Sequence, residues 1–175
     1  MAKLKDLVIP FSGMNEGSYD FNMELHDSFF ESLEFSEIKK GDIKVQVQME
    51  RRQHMLNIDI TIHGDVEMEC DRCGNMFRQP IETERTMIVN LNADHFEDED
   101  DLISLPASYN ELDLTQYVYE YVSLAVPAKL ICPETTGCDP DVISKLNQLQ
   151  PGENDNDNNA SDPRWDALKN LKDNN

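Results

Sequence analysis

Four cysteines are the residues whose type and spacing most clearly suggest chemistry in this chain. They form two local pairs, in the stretches Cys70-Asp71-Arg72-Cys73-Gly74 and Cys132-Pro133-Glu134-Thr135-Thr136-Gly137-Cys138. Thiolates two residues apart can both bind one ion at about 2.3 Å if the backbone turns tightly. Gly74 tolerates the left-handed conformation that such turns use, and Pro133 and Gly137 are also turn formers. The sequence therefore predicts a turn at each pair.

One tetrahedral zinc ion shared by both pairs is the interpretation that we favour. A closed structural zinc site takes four soft ligands, and the chain has four cysteines in all. The predicted ligands of one structural zinc per chain are Cys70, Cys73, Cys132 and Cys138. Two alternatives stay open. Cys70 and Cys73 could form a redox dithiol, although that motif normally opens a helix and strand patterns flank this one. The pairs could also be separate buried thiols.

Catalytic motifs are absent from the sequence. It has no glycine-rich phosphate loop, no His-Glu-x-x-His and no Gly-x-Ser-x-Gly. The acidic run Glu97–Asp101 lacks the alternating oxygen ligands and the glycine of a calcium loop, so we expect a solvated loop there. We therefore expect a protein that is not an enzyme and has no small-molecule substrate.

Alternating apolar and polar residues dominate the first half of the chain, around the first cysteine pair. Apolar residues occupy every second position in five stretches, 19–25, 43–49, 56–62, 66–70 and 87–91, and Gly64 breaks the pattern between the third and fourth. One-sided strands in close succession predict an antiparallel sheet that covers a core on one face, with barrel-like closure as a possible form. The pair Cys70 and Cys73 then lies at the tip of a hairpin.

Helical spacing replaces this alternation in the second half. Asp113 opens a sequence like a capping box, and apolar residues follow at helical spacing until Pro127. Asp139-Pro140 begins a further helix that ends before Pro151, and a short helix fits Ser28–Leu33. The predicted fold class is α+β, an antiparallel sheet packed by two or three helices with a zinc-knuckle hairpin.

Three regions follow from the composition. Residues 1–150 are predicted to form a single α+β domain, and residues 151–161 a disordered acidic linker, since they carry almost nothing to bury. Residues 162–172 form a short amphipathic motif that places Trp165, Leu168 and Leu171 on one side. This motif either docks into a groove of a partner or folds back onto its own domain.

The uneven distribution of charge along the chain bears on whether the partner is RNA or a protein. The net charge is −20, from 35 acidic residues against 15 lysines and arginines. Residues 39–90 are nearly balanced, so a direct contact with RNA would use Arg72 and Arg78, which flank the first cysteine pair. The acidic flanks suit a basic protein instead. The predicted partner-binding residues are Arg72, Arg78, Trp165 and Leu168.

The predicted compartment is the cytoplasm. Residues 1–11 lack the apolar core of a signal peptide, and no apolar run reaches the length of a membrane span. We therefore expect no membrane partner, and we expect the cysteines to be thiols or metal ligands rather than disulfides.

Four features together resemble the YceD-like family of bacterial proteins, which are associated with accumulation of large-subunit ribosomal RNA. They are the first cysteine pair after a strand containing Gly64, the helix from Asp113 to Ala125 before Pro127, the cysteine turn at Cys132–Cys138, and the stretch Asp162–Lys169. The resemblance covers residues 40–172 and implies a role in ribosome production and a metal-binding cysteine cluster.

Three functional hypotheses follow. The first is a non-catalytic zinc-binding factor in ribosome biogenesis that binds a ribosomal protein or a precursor of large-subunit ribosomal RNA. The second is a thiol redox protein that uses Cys70 and Cys73. The third is an interaction adaptor outside ribosome biology that acts through its terminal motif. The sequence does not determine the oligomeric state.

Overall fold

The alternating stretches of the sequence form the strands of a six-stranded sheet. The computed structural model describes residues 7–99, 102–133 and 137–149. The described residues divide into two units between Gly137 and Cys138, and every strand that they contain belongs to the first unit. The strands are β1 (Val8–Pro10), β2 (Gly17–Leu25), β3 (Gly41–Arg52), β4 (Met55–Glu69), β5 (Met76–Ala93), β6 (Glu97–Glu99), β7 (Leu102–Pro106) and β8 (Glu111–Asp113). The helices are α1 (Asp27–Glu31), α2 (Thr115–Ala125) and α3 (Pro140–Leu149). Mixed α+β is thus the fold class, as the sequence predicts.

The sheet is mixed rather than purely antiparallel, which differs in part from the prediction. The order is β2-β3-β4-β5-β7-β6, and strands β2 to β5 pair in antiparallel fashion. Strand β7 pairs with β5 in parallel, and β6 then pairs with β7 in antiparallel fashion. The sheet stays open, with β2 and β6 at its edges, so the expected barrel-like closure is wrong. A separate two-stranded sheet joins β1 to β8.

The acidic run that we expected to be a loop contributes a strand instead. Residues Glu97–Glu99 form β6, whose backbone pairs with residues 102–104 of β7. The backbone of these residues pairs with β7 despite the low strand propensity of acidic side chains. A short charged strand at the edge of a sheet also disfavours pairing with other chains.

One face of the sheet covers the core, as period-two alternation predicts. Val45 and Val47 of β3 stand opposite Ile62 and Ile60 of β4, and all four are fully buried. The core is completed by Phe29 and Phe30 of α1, and by Val118 and Val122 of α2, a helix that contacts β5. The sheet and helix α2 together hold the first cysteine pair on a packed scaffold.

Gly64 does not break β4, contrary to our expectation. The strand continues through Gly64 to Glu69, and the glycine pairs with Ile43 of β3 and Ile81 of β5. Its φ is +152°, and an added Cβ would lie 2.2 Å from the carbonyl oxygen of Asp42. Glycine is required because the neighbouring strand approaches so closely.

Helix α2 begins without the full capping box that the sequence predicts. The Asp113 carboxylate accepts a 2.9 Å hydrogen bond from the Thr115 amide, but Gln116 bonds to Glu120 instead of reaching back. Helix α3 begins as predicted, since the Asp139 carboxylate accepts a 2.9 Å bond from the Asp141 amide.

The predicted linker 151–161 and terminal motif 162–172, with Trp165 and Leu168, lie outside the described residues. Within the described ranges, no helix combines the length and hydrophobicity needed to cross a membrane.

Candidate metal centre

The first cysteine pair occupies the tip of the β4–β5 hairpin. Ladder pairing of the two strands ends at Glu69 and Met76. Beyond it, the Cys70 amide donates to the Asn75 carbonyl and the Gly74 amide donates to the Cys70 carbonyl, each at 2.9 Å. Gly74 has φ +75°, the left-handed conformation that the sequence predicts. The tip is therefore a closed tight turn.

The second pair lies in the segment that follows α2. The Gly137 amide donates to the Pro133 carbonyl at 2.9 Å, and Gly137 has φ +67°. This turn brings the chain to Cys138, which is the first residue after the first unit.

Two hydrogen bonds tie this segment to the hairpin tip. The Asp71 amide donates to the Leu130 carbonyl at 2.8 Å, and the Leu130 amide donates to the Asp71 carboxylate at 2.7 Å. The pairing places Cys132 beside the hairpin, where its amide lies 3.4 Å from the sulfur of Cys70.

All four cysteine sulfurs cluster together. The Sγ atoms of Cys70, Cys73, Cys132 and Cys138 lie within 4.8 Å of one another. The Cys73 and Cys132 sulfurs are 3.6 Å apart. Four sulfurs around a tetrahedral ion at about 2.3 Å would stand about 3.8 Å from each other. A small contraction would therefore give a four-sulfur coordination shell, and a soft divalent ion such as zinc fits this donor set.

Backbone amides favour the ionised form of Cys70. Burial of Cys70, which is 2% exposed, raises its pKa, but hydrogen bonds from the amides of Arg72, Cys132 and Cys73 outweigh burial. The net effect lowers the pKa of Cys70 to about 6. A thiolate at neutral pH is the form that ligates a metal.

A protein-family model covers the whole of this centre. The model described as Large ribosomal RNA subunit accumulation protein YceD matches residues 58–172. The chain belongs to the YceD family. The family name implies a role in the accumulation of large-subunit ribosomal RNA. Neither a search of curated proteins nor a search of solved structures found a match.

The two arginines predicted to bind a partner lie within the region that matches the YceD family, but one is exposed and the other is ion-paired. Arg72 is exposed at the hairpin tip. Arg78 projects from β5, where its guanidinium lies 2.9 Å from the Asp65 carboxylate and 3.3 Å from that of Asp42. Asp42 also bonds to His26 at 2.8 Å. That hydrogen bond is the main reason the pKa of Asp42 lies below its usual value; partial burial opposes it, and Arg78 reinforces it.

Most other basic side chains of the middle segment also have partners. Lys40 lies 3.1 Å from Glu67, Lys44 lies 3.6 Å from Glu24, and Arg52 lies 3.0 Å from Glu50. Arg51 donates to the carbonyl of Phe11. Most of the basic side chains of this segment are thus engaged by other groups of the fold.

Asp71 has a role at the cysteine cluster that the sequence did not reveal. Its carboxylate fixes the segment before Cys132, although it bonds to no sulfur itself. No sequence signal identifies this role, because the bond depends on a residue 59 positions away.

Proposed function

We propose that this YceD-family chain is a non-catalytic zinc-binding factor in ribosome biogenesis. It would support the accumulation of large-subunit ribosomal RNA by binding a ribosomal protein or the RNA precursor in the cytoplasm. The observation that carries the proposal is the cluster of four cysteine sulfurs within 4.8 Å, inside the region that matches the family.

Zinc at this centre would act structurally. Ligands from the hairpin tip and from the segment after α2 are far apart in the sequence, so one ion would cross-link the two. Four protein ligands leave no open coordination position, and an open position is what a catalytic zinc site needs. The ion would hold the exposed surface around the tip in one conformation.

A basic protein is the partner that the charges favour over RNA. RNA binding needs lysine and arginine side chains that can displace counterions from phosphates. Arg78 and Lys40 are instead paired with carboxylates, so Arg72 at the tip and Lys129, which precedes Leu130, are the exposed cations nearest the centre among the described residues. A net charge of −20 adds long-range repulsion of phosphate and attraction of basic proteins.

A thiol redox function is the second candidate, and the lowered pKa of Cys70 favours it. The same cysteine is only 2% exposed, however, and a redox substrate must reach the attacking sulfur. The position at a hairpin tip also differs from the helix N-terminus that activates redox dithiols. We therefore rank zinc binding first.

Two measurements test the proposal. Metal analysis of protein purified without chelator should give about one zinc per chain. Co-sedimentation with precursor particles of the large ribosomal subunit should be observed for the wild type and reduced for Cys73→Ser. Met76→Ser is the matched control, because it places the same new side chain beside the tip at an exposed position that is not a ligand. Metal-free protein with unchanged particle binding would refute the zinc role.

A further inference from the structure

An exposed aromatic side chain forms part of an apolar surface that includes none of the four cysteines. Phe35 is 60% exposed, yet its ring packs edge-on against Tyr119 of α2, with ring centroids 5.2 Å apart. A cavity of about 320 Å³ opens beside it, lined also by Ile38, Met68 and Val126. An exposed apolar patch beside a cavity is typical of an interaction site.

A second cavity, of about 630 Å³, shares Phe35 with the first. Its wall includes Phe96 and Tyr109, whose rings stack at 6.1 Å and are each about half exposed. We call the two cavities together the Phe35 groove. Its lining is mainly apolar, and three partly exposed aromatic rings provide anchor positions of the kind that dominate binding energy at interfaces.

The Phe35 groove is largely pre-formed. Tyr119 is 8% exposed, and its hydroxyl accepts a 3.2 Å bond from the Glu37 amide, which fixes the loop that carries Phe35. Lys39 also donates to the carbonyl of Ser36 in that loop. A surface that needs little rearrangement binds a partner at a smaller entropic cost.

Acidic residues border the groove. Glu37 lines the first cavity and Asp113 lines the second, and Glu34 precedes Phe35 in the loop. Among the described residues that line the two cavities, none is a lysine or an arginine. We call these carboxylates the negative rim; Lys39, which belongs to the same loop, lines neither cavity.

We propose that the Phe35 groove binds a cationic amphipathic segment of a partner protein. Apolar side chains of that segment fill the two cavities, and its lysines and arginines face Glu34, Glu37 and Asp113. Exposed aromatic rings also stack on nucleic-acid bases, but carboxylates at the rim repel the phosphates that accompany the bases. This inference deepens the proposed function. The identification of the partner as a ribosomal protein rests on that function, whereas the chemistry of the segment rests on the groove.

A defined peptide tests the groove directly. The probe is a fluorescently labelled peptide of leucines and lysines at helical spacing, about 14 residues or four helical turns long. A peptide of the same composition in scrambled order and a single-stranded RNA are the comparison probes. Full-length wild type should bind the amphipathic peptide, and Phe35→Ala should weaken binding about tenfold or more. Leu124→Ala, which truncates a residue 71% exposed on α2 outside both cavities, should leave the affinity unchanged.

A second variant tests the negative rim without touching the apolar lining at its centre. Glu34→Lys combined with Glu37→Lys should weaken peptide binding to a similar degree, and the loss should shrink in high salt because salt screens surface charges. Asp20→Lys with Glu24→Lys, on the edge strand β2, makes the same charge change elsewhere and should have a smaller effect.

Several results would overturn the proposal. Equal affinity of wild type and Phe35→Ala would exclude the groove, and tighter binding of the RNA that depends on Phe35 would assign it to nucleic acid. Stronger peptide binding by Trp165→Ala would show that the chain's own terminal motif occupies it. Co-sedimentation with precursor particles separates the two proposals: failure of wild type to sediment refutes the ribosomal function, while peptide binding still decides the groove.

Discussion

Asp71 and Leu130 bond to each other twice, through the Asp71 amide at 2.8 Å and the Asp71 carboxylate at 2.7 Å. The pair joins the tip of the β4–β5 hairpin to the segment that carries Cys132. Asp71 therefore positions one half of the candidate metal centre relative to the other, although it is not a ligand.

Replacement of Asp71 should weaken metal binding without removing a ligand. We expect Asp71→Ala to lower zinc affinity about 10- to 100-fold, the range typical of residues that orient metal ligands. Asp71→Asn keeps an oxygen that accepts from the Leu130 amide, so it should retain most of the affinity. Competition with a chromophoric chelator measures both values. Equal affinity of the alanine variant and the wild type would contradict the positioning role.

Loss of one sulfur should abolish tight zinc binding. Cys132→Ser should release the metal and raise hydrogen exchange at the amides of Asp71, Gly74 and Leu130, because the cross-link between the two segments disappears. Chelator treatment of the wild type should produce the same exchange pattern. Metal analysis and exchange mass spectrometry report the two effects. A full zinc complement in Cys132→Ser would remove that residue from the ligand set.

Gly64 should tolerate no side chain. An added Cβ would meet both Asp42 and Ile43, and the backbone conformation is itself strained for alanine. Gly17 is the matched control, because it has φ +151° but nothing within 4 Å of an added Cβ. We expect Gly17→Ala to lower the free energy of unfolding by about 1–3 kcal/mol from strain alone. Gly64→Ala should lower it by more than about 4 kcal/mol. Denaturant unfolding curves measure the two losses in stability. Equal losses would show that β3 moves away far enough to accept a Cβ at position 64, and would contradict the prediction.

The Asp42 carboxyl should titrate below 3.8, its usual value, chiefly because His26 bonds to it. A lowered pKa in the folded state means that the stability it contributes is present above about 3.8 and is lost as the pH falls through the folded value. His26→Ala should raise the pKa of Asp42 toward that usual value. NMR titration of the carboxyl carbon measures it. His54→Ala, at the opposite turn between β3 and β4, should leave it unchanged.

Binding to precursor particles should depend on acidic residues rather than on arginines. Arg72→Glu should leave co-sedimentation nearly unchanged, because a protein partner needs no phosphate contact at the hairpin tip. Neutralisation of the run from Glu97 to Asp101, which begins directly after Phe96 of the groove, should reduce it. The opposite pattern, with loss only in the arginine variant, would favour direct RNA contact.

Local periodicity allowed much of the fold to be predicted. The alternation in residues 19–25, 43–49 and 56–62 predicts β2, β3 and β4, because a strand with one buried face must alternate. Helix α3 begins at the Pro140 that the sequence indicates, since Asp139 caps it through its own neighbours. Each cysteine pair likewise lies at a local turn with glycine in the left-handed conformation.

Long-range pairing was predicted less well. Strand β7 joins β5 in parallel, and β6 contains acids that local propensity assigns to a loop. Arg85 stands in register with the buried Ile60 and packs against the ring of Tyr121 at 6.0 Å, a contact that alternation on β5 does not predict. These features depend on backbone and ring partners from distant parts of the chain.

The sequence by itself determined that four thiols stand in two turn-borne pairs, because the turn chemistry of each pair is contained within a few residues. Only the tertiary structure decided that the pairs meet. That meeting requires the β4–β5 hairpin and the packing of α2, whose elements local patterns predict, and also the two hydrogen bonds between Asp71 and Leu130, which no local pattern predicts. The Phe35 groove has the same origin: its aromatic rings come from separate loops, and the sheet and α2 bring them to one surface.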